Sequence, residues 1–318
     1  MRSFWRLVAA VACLAIGGPG LGPAAPSAPA TAQALSCTYC GRPIEGRYLQ
    51  DQGRAYHHAC YAGHVAPRCV VCNQAVMGSS RVDRWGFHAH VEHGKGINQC
   101  AYCGRIIGAG STGGGVAYTD GRAVCNLCRK TAIDTPEAGV KVMRRIRKRL
   151  ADWGVVLDYP PIPLQLGMRP WLQQVQRQGS FAFGGETVGL TRAVVSQRVR
   201  GQEVLDRRVD LSIYALAGLP EEVFASVIGH ELMHAWGHLA GSQRRQPQLE
   251  EGAARYVEAV ILAEAGSPEG AKRLEMIHYD DDPTYGTGFR RVRRFVETRG
   301  WPALLEILRT QHDLPSGY

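Results

Sequence analysis

Hydrophobic and polar positions alternate along residues 209–215, where Val209, Leu211, Ile213 and Ala215 are separated by Asp210, Ser212 and Tyr214. A period of two belongs to a half-buried strand. The spacing predicts strands over 193–199 and 203–216 around a turn at Arg200, Gly201 and Gln202. Past Leu216 the period lengthens. Pro220 suits the first position of a helix and Glu221 and Glu222 suit its positive end, so a helix is expected from there through His238. A second helix is expected over 247–265, and a third over 289–309 with an interruption at Gly300, Trp301 and Pro302. Upstream, a helix over 136–153 carries Val142, Ile146 and Leu150 at helical spacing inside a dense cationic run, which reads as a solvated amphipathic helix. Pro160, Pro161 and Pro163 then force an extended or turning stretch, since each lacks an amide hydrogen and restricts its predecessor. Strands followed by helices, without repeated alternation, indicate an α+β fold.

Composition changes this picture at two places. Nine of the ten cysteines lie between Cys37 and Cys128 and none follows, which puts a boundary near residue 130. At the N-terminus, Arg2 and Arg6 precede an apolar run over 7–16 and a Gly/Pro/Ala-rich stretch, the order of a secretory signal peptide with cleavage expected after Ala34. Such a short run cannot span a bilayer, which needs about 20 residues of helix, so no transmembrane segment is expected in the mature chain. Cys13 lacks the leucine that usually precedes a lipidated cysteine, and a lipoprotein is disfavoured. Export to the periplasm or the extracellular space follows as an expectation. Losing Arg2 and Arg6 lowers the formal charge from +9, and the remaining mild basicity, with no aromatic residues interleaved in the cationic run, disfavours nucleic acid as a partner.

The chemistry concentrates in His230-Glu231-Leu232-Met233-His234. Four residues make about one helical turn, so His230 and His234 share a face and can bind one zinc ion, while Glu231 sits about 100° round the helix, placed to act as general base on a water. Glu250, Glu251 and Glu258 on the next helix compete for the third ligand position, and periodicity leans slightly toward Glu250. Tyr285 lies in what reads as a glycine-rich loop, where a phenol could stabilise a tetrahedral oxyanion.

The cysteines fall into pairs with zinc-knuckle spacing, giving three sets: Cys37, Cys40, His57 and Cys60; Cys69, Cys72, His90 and His93; Cys100, Cys103, Cys125 and Cys128. His58 and His88 are alternatives to His57 and His90. Disulfides compete in an exported protein, but nine is an odd number and Cys-x2-Cys pairs make poor staples. Three structural zinc ions and one catalytic ion are therefore expected. Four protein ligands leave no open position, so the module is assigned to scaffolding or partner binding.

Together these residues resemble the LIM-containing peptidases related to the plant organ-size regulator DA-one. Matching patches are Asp120-Gly121-Arg122, the run from Tyr214 to Pro220, and Tyr285-Gly286-Thr287-Gly288-Phe289-Arg290. The resemblance implies a gluzincin-like peptidase with His230 and His234 as ligands, Glu231 as base and a downstream glutamate completing the site. Glu251-Gly252-Ala253 is similar to the Asn-Glu-Gly run of zinc aminopeptidases, whose glutamate before the glycine binds metal. That likeness favours Glu251, with Gly252 letting the two zinc-bearing helices approach. The plant relatives cleave regulatory proteins under ubiquitin control; an export signal stands here in place of ubiquitin-interacting helices, and His90 replaces an expected cysteine, so that control is not carried over. The expected organisation is a signal peptide (1–34), a LIM-like module with three zinc sites (37–130), a helical connector and linker (131–180) and a zincin-type metallopeptidase domain (181–318). The expected activity is zinc-dependent hydrolysis of protein or peptide substrates. The alternative is a protein-binding scaffold whose zincin domain turns over little.

Overall fold

The computed structural model describes residues 35–178, 187–200, 203–240 and 245–318. The expected signal peptide and the turn residues Gly201 and Gln202 lie outside them. The chain divides into two compact units, 1–64 and 65–318.

In the first unit, β1 (Leu49–Asp51) and β2 (Arg54–Tyr56) form an antiparallel hairpin ahead of the short α1 (His58–Cys60). Its two turn residues, Gln52 and Gly53, both have positive φ, as the tight hairpin turn demands.

The second unit opens with two more small hairpins. The first pairs β3 (Ser80–Val82) with β4 (His88–His90). After α2 (Ala109–Thr112), β5 (Gly115–Ala117) pairs with β6 (Ala123–Cys125), which leads into α3 (Asn126–Arg129). The segment β7 (Ala132–Ile133) pairs with β11 (Leu219–Pro220), tying the end of the cysteine-rich stretch to the start of the central helix.

Around that helix stand α4 (Pro136–Asp152), β8 (Leu164–Gly167), α5 (Arg169–Gln178), β9 (Gly189–Arg200), β10 (Glu203–Leu216), α6 (Glu221–Ala240), α7 (Pro247–Ala265), α8 (Pro268–His278), α9 (Tyr285–Arg299) and α10 (Trp301–Thr310). The sheet order is β8-β10-β9, with β8 parallel and β9 antiparallel to β10. Mixed helix and strand content agrees with the sequence reading.

Three expectations need correcting. The stretch 131–180 is not a linker: Ile133, Val142, Met143, Ile146, Leu150, Leu164 and Leu172 lie in the same buried core as α6 and α7. Within it α4 is the expected amphipathic helix, its charged side solvated and its apolar stripe packed on α6. Pro220 is not the first helical residue, because its backbone is held in register with Ala132. The third helix starts at Tyr285 and breaks at Gly300, whose φ of +86° no extension of α9 can accommodate. The helix over 247–265 has the bounds the sequence predicts.

Close crossings fix the helix pair that carries the site. A Cβ on Gly229 of α6 would stand 2.3 Å from Ile261 Cδ1 of α7, so this glycine lets the two helices approach. Gly252 serves another crossing, that of α7 with α9, where a Cβ would stand 2.4 Å from the Gly288 backbone. Among the described residues, no helix is long and apolar enough to cross a membrane.

Candidate metal centres and cleft

Helix α6 is buried on nearly every side from Val223 to Gly237 and presents His230, Glu231, His234 and His238 to a cleft. One turn apart, His230 and His234 bring their Nε2 atoms to 3.1 Å. Glu251 Oε2, delivered by α7, lies 3.4 Å from His230 Nε2 and 3.5 Å from His234 Nε2. Donors on a tetrahedral ion with bonds of about 2.0–2.1 Å are separated by about 3.3 Å, so this triangle has the size zinc requires. Glu251 Oε2 is buried and completes no hydrogen bond among the described residues. Burial would raise its carboxyl, yet the two histidines hold it well below the ordinary range. Burial would lower the His230 imidazole, but the Glu251 and Glu258 carboxylates bring it up to about 10. The donor set thus favours a cation, and Glu251 is the glutamate that completes it. Glu250 lies against Arg245 instead, 3.5 Å away.

Two further contacts escaped the sequence reading. Thr191 of β9 donates its hydroxyl to Glu231 Oε2 at 2.8 Å. Burial pushes the Glu231 carboxyl above its ordinary range, against the pull of His230 and His234. Glu258 takes no place among the ligands: its Oε2 stands 3.4 Å from His230 Nδ1, and its Oε1 accepts from Arg273 of α8. Such a carboxylate behind a ligating imidazole fixes the ring's orientation. No local signal in the sequence marks Thr191 or Arg273, since each meets its partner only through the fold.

The cleft encloses about 970 Å³ above this centre. Residues 187–191 wall one side and α8 with Asp280, Asp281 and Asp282 another, while Ala101 and Tyr102 of the third cysteine set reach its edge. Lys272 Nζ donates to Ala101 O at 3.3 Å, and Arg84 pairs with Glu275 at 2.6 Å, so α8 is fastened to the cysteine-rich stretch. Tyr285 lines the cleft, but as the first residue of α9 rather than in a loop. Burial pushes its phenol upward, so it is held as a proton donor. His238 also lines the cleft, and Trp236 is buried core.

The three cysteine sets are brought together as their spacing predicts, each with its ligand atoms within 4.8 Å of one another. All nine cysteines among the described residues are unbridged. In the all-cysteine set, Cys100 and Cys128 sulfurs are 3.6 Å apart and those of Cys103 and Cys125 3.8 Å, the separation expected of thiolates about 2.3 Å from a tetrahedral ion. Sharing of protons with Cys103, Cys125 and Cys128 holds the Cys100 thiol far below its ordinary range and pushes Cys128 above it. In the first set His57 Nδ1 is 3.4 Å from Cys40 Sγ, and in the second His90 Nδ1 is 3.4 Å from Cys72 Sγ. The far nitrogens of both rings meet backbone carbonyls, Pro43 O and Ala75 O, each at 3.1 Å. That decides for His57 and His90; His88 is taken by Ser80 Oγ at 3.0 Å. Burial would raise the Cys69 thiol, but backbone N–H groups of Cys72 and His90 bring it down to about 6. These clusters are suited to zinc.

Residues 171–266 match the family model described as DA1-like: Protein DA1. The chain is similar to a DA1 family of plant proteins. Protein DA1-related 7 of Arabidopsis thaliana is 24% identical over 332 residues, covering 87% of this chain and 58% of the relative. Protein DA1 of the same plant is 23% identical over 343 residues, covering 89% and 63%. The LIM domain-containing protein HDR3 of Oryza sativa subsp. japonica is 27% identical over 252 residues, covering 69% and 49%. The chain spans about three fifths of the length of the DA1 relatives it matches, and the matches together support kinship with DA1-like, LIM-containing proteins. No solved structure matches the chain.

Proposed function

We propose that this chain is a zinc-dependent peptidase whose cysteine-rich stretch is a LIM-like zinc module. The observation that carries the proposal is the triangle of His230, His234 and Glu251 with Glu231 buried beside it. When bound there by His230, His234 and Glu251, zinc supplies Lewis acidity toward a carbonyl and lowers the pKa of a water.

Glu231, steered by Thr191 and raised by burial, takes the proton of the attacking water at its carboxylate and returns it to the leaving amine. Glu258 keeps the His230 ring aligned. Tyr285 offers its phenol to the oxyanion that develops on the substrate carbonyl. Residues 187–191 form the wall along which a peptide lies. The zincin fold assignment rests on the same placement of a strand, the paired histidines and a glutamate on the following helix.

Glu231→Gln keeps the ligands and removes the base, so it should lower kcat by about 10²–10⁴-fold while bound zinc is unchanged. Equal turnover by wild type and this variant on extracytoplasmic proteins would sink the peptidase reading. That result would favour the second one, a LIM-type binding protein, to which the three cysteine sets and the LIM relative also point. Export rests on residues 1–34 and is checked by sequencing the N-terminus of the mature protein.

A further inference from the structure

Tyr285 enters the cleft from a turn whose backbone is tied at several points. Past the end of α8, Asp280 Oδ1 accepts the N–H of Asp282 at 2.9 Å, and Asp282 Oδ1 accepts those of Thr284 at 2.7 Å and Tyr285 at 2.8 Å. Arg290 of α9 donates to Asp280 O at 2.6 Å, and a Cβ on Gly286 would stand 1.8 Å from that same oxygen, so a glycine is needed for the turn to fold back on the helix it starts. These contacts fix where the Tyr285 backbone stands. They leave its χ1 and χ2 torsions to be set by what packs on the ring.

Arg255 lies there. It follows Glu251 by four residues on α7, so one turn of helix brings it to the same face. Its guanidinium carbon stands over the Tyr285 ring, 5.1 Å from the centroid, inside the range at which a cation is attracted to an aromatic face. One nitrogen donates to Asp280 Oδ2 at 2.8 Å and another stands 3.7 Å from Glu258 Oε2. The side chain is 19% exposed although it lines the cleft. Two carboxylates thus face a single positive charge, which makes this guanidinium a poor attractor of substrate anions and a good clamp. A planar fork suits that task, since it can donate along its edge while presenting a face to a ring, and the ammonium of a lysine cannot do both from one position.

We propose that Arg255 is a positioning residue, which holds the Tyr285 phenol where the oxyanion develops and acts on peptide hydrolysis through that phenol. The proposal rests on the peptidase reading and on the part Tyr285 plays in it. A donor for an oxyanion lowers the barrier only when it is already aimed at the place where charge appears, and a misplacement of about 1 Å costs about 10²-fold. Arg255 then matters for kcat and hardly for KM, because the ground-state carbonyl gains little from a donor aimed at the tetrahedral state. Its second carboxylate does not carry the effect. Glu258 keeps Arg273 as its own partner, and a separation of 3.7 Å from Arg255 is too long for a hydrogen bond.

A double-mutant cycle separates this role from a merely structural one. On the zinc-loaded protein, with fluorescein-labelled casein as the substrate, Arg255→Lys and Arg255→Gln should each lower kcat by about 10–10²-fold, with KM within about twofold and zinc content unchanged. In a Tyr285→Phe background the same substitutions should cost nothing further. Asp280→Asn weakens the other anchor of the guanidinium and keeps an oxygen for the Asp282 N–H, so it should repeat the pattern, and it carries the test if the Arg255 variants fold poorly. Crystal structures supply a readout free of turnover: with zinc bound, Arg255→Lys should leave His230, His234 and Glu251 in place and displace the Tyr285 hydroxyl by at least about 1 Å. Losses that multiply in the double variants, an unchanged kcat in Arg255→Gln, a phenol that stays in place, or loss of zinc from the centre of His230, His234 and Glu251 would each overturn the proposal. A wild type that cuts casein and extracytoplasmic proteins no faster than Glu231→Gln, with the phenol displaced in Arg255→Lys, would sink the peptidase reading and leave the hold of Arg255 on Tyr285 standing.

Discussion

Glu258 shows how much a single residue can carry away from the reacting atoms. Its side chain is 1% exposed, and it meets His230 on one oxygen and Arg273 on the other. Burial alone would raise its carboxyl, but Arg273, His230 and Arg255 hold it below the ordinary 4.5. A carboxylate depressed in the folded state stabilises the fold at pH values above its unfolded pKa, and that stability is lost as pH falls through the folded value. Glu258→Gln should therefore cost about 3 kcal/mol at neutral pH, the usual penalty for leaving one partner of a buried pair uncompensated, and should flatten the acid limb of stability against pH. Chemical unfolding of both proteins between pH 3 and 7 measures it, and parallel curves would remove Glu258 from the account. At this scale the sequence was informative where a residue type is scarce and its spacing rigid. His230, His234 and the cysteines were legible for that reason. The choice of Glu251 over Glu250 needed the likeness to aminopeptidases, because helical periodicity leaned the other way. Thr191 was invisible, since its partner Glu231 is 40 residues further along.

Among the elements, α8 joins two sites. On one side Lys272 and Glu275 meet the cysteine-rich stretch, and on the other Arg273 grips the carboxylate behind His230. Arg273→Ala should weaken retention of zinc at His230, His234 and Glu251 by about 10–100-fold, the range for loss of an outer partner of a metal ligand, and Arg273→Lys should restore part of it. Competition with a chelator reads this directly, and the cysteine-bound ions serve as an internal control; unchanged retention in Arg273→Ala would make α8 a passive cover. Neither α8 nor β8 is foreshadowed in the residue pattern, because their short segments carry too few apolar residues for periodicity to separate them from loop. The start of α6 is misread in a subtler way. A helix buried on almost all sides gives its apolar residues no periodicity that marks where it begins, and the capping signal at Pro220 misplaces the start by one residue because that residue pairs with β7. The pattern of α7, with Pro247 at its start and Gly266 in the left-handed conformation after its end, was fully legible.

For the whole molecule, four donor groups with different coordination should release metal in order. Three comprise four protein ligands each, while the group of His230, His234 and Glu251 supplies three and leaves a position open. With all four groups loaded, a dilute chelator should remove about one zinc per chain first, and with it the proposed peptidase turnover, without loss of helical signal, and the remaining three only as structure melts. Simultaneous loss of all four, followed by metal analysis and circular dichroism, would contradict that order. The unbridged sulfurs carry a consequence for how the protein matures. In the all-cysteine set they stand 3.6 and 3.8 Å apart, so a chain that reaches an oxidising compartment without its ions holds thiols within easy reach of disulfide formation. Loading and oxidation then compete for the same atoms, and whichever comes first decides whether the newly made chain becomes a metal-loaded protein or a cross-linked by-product.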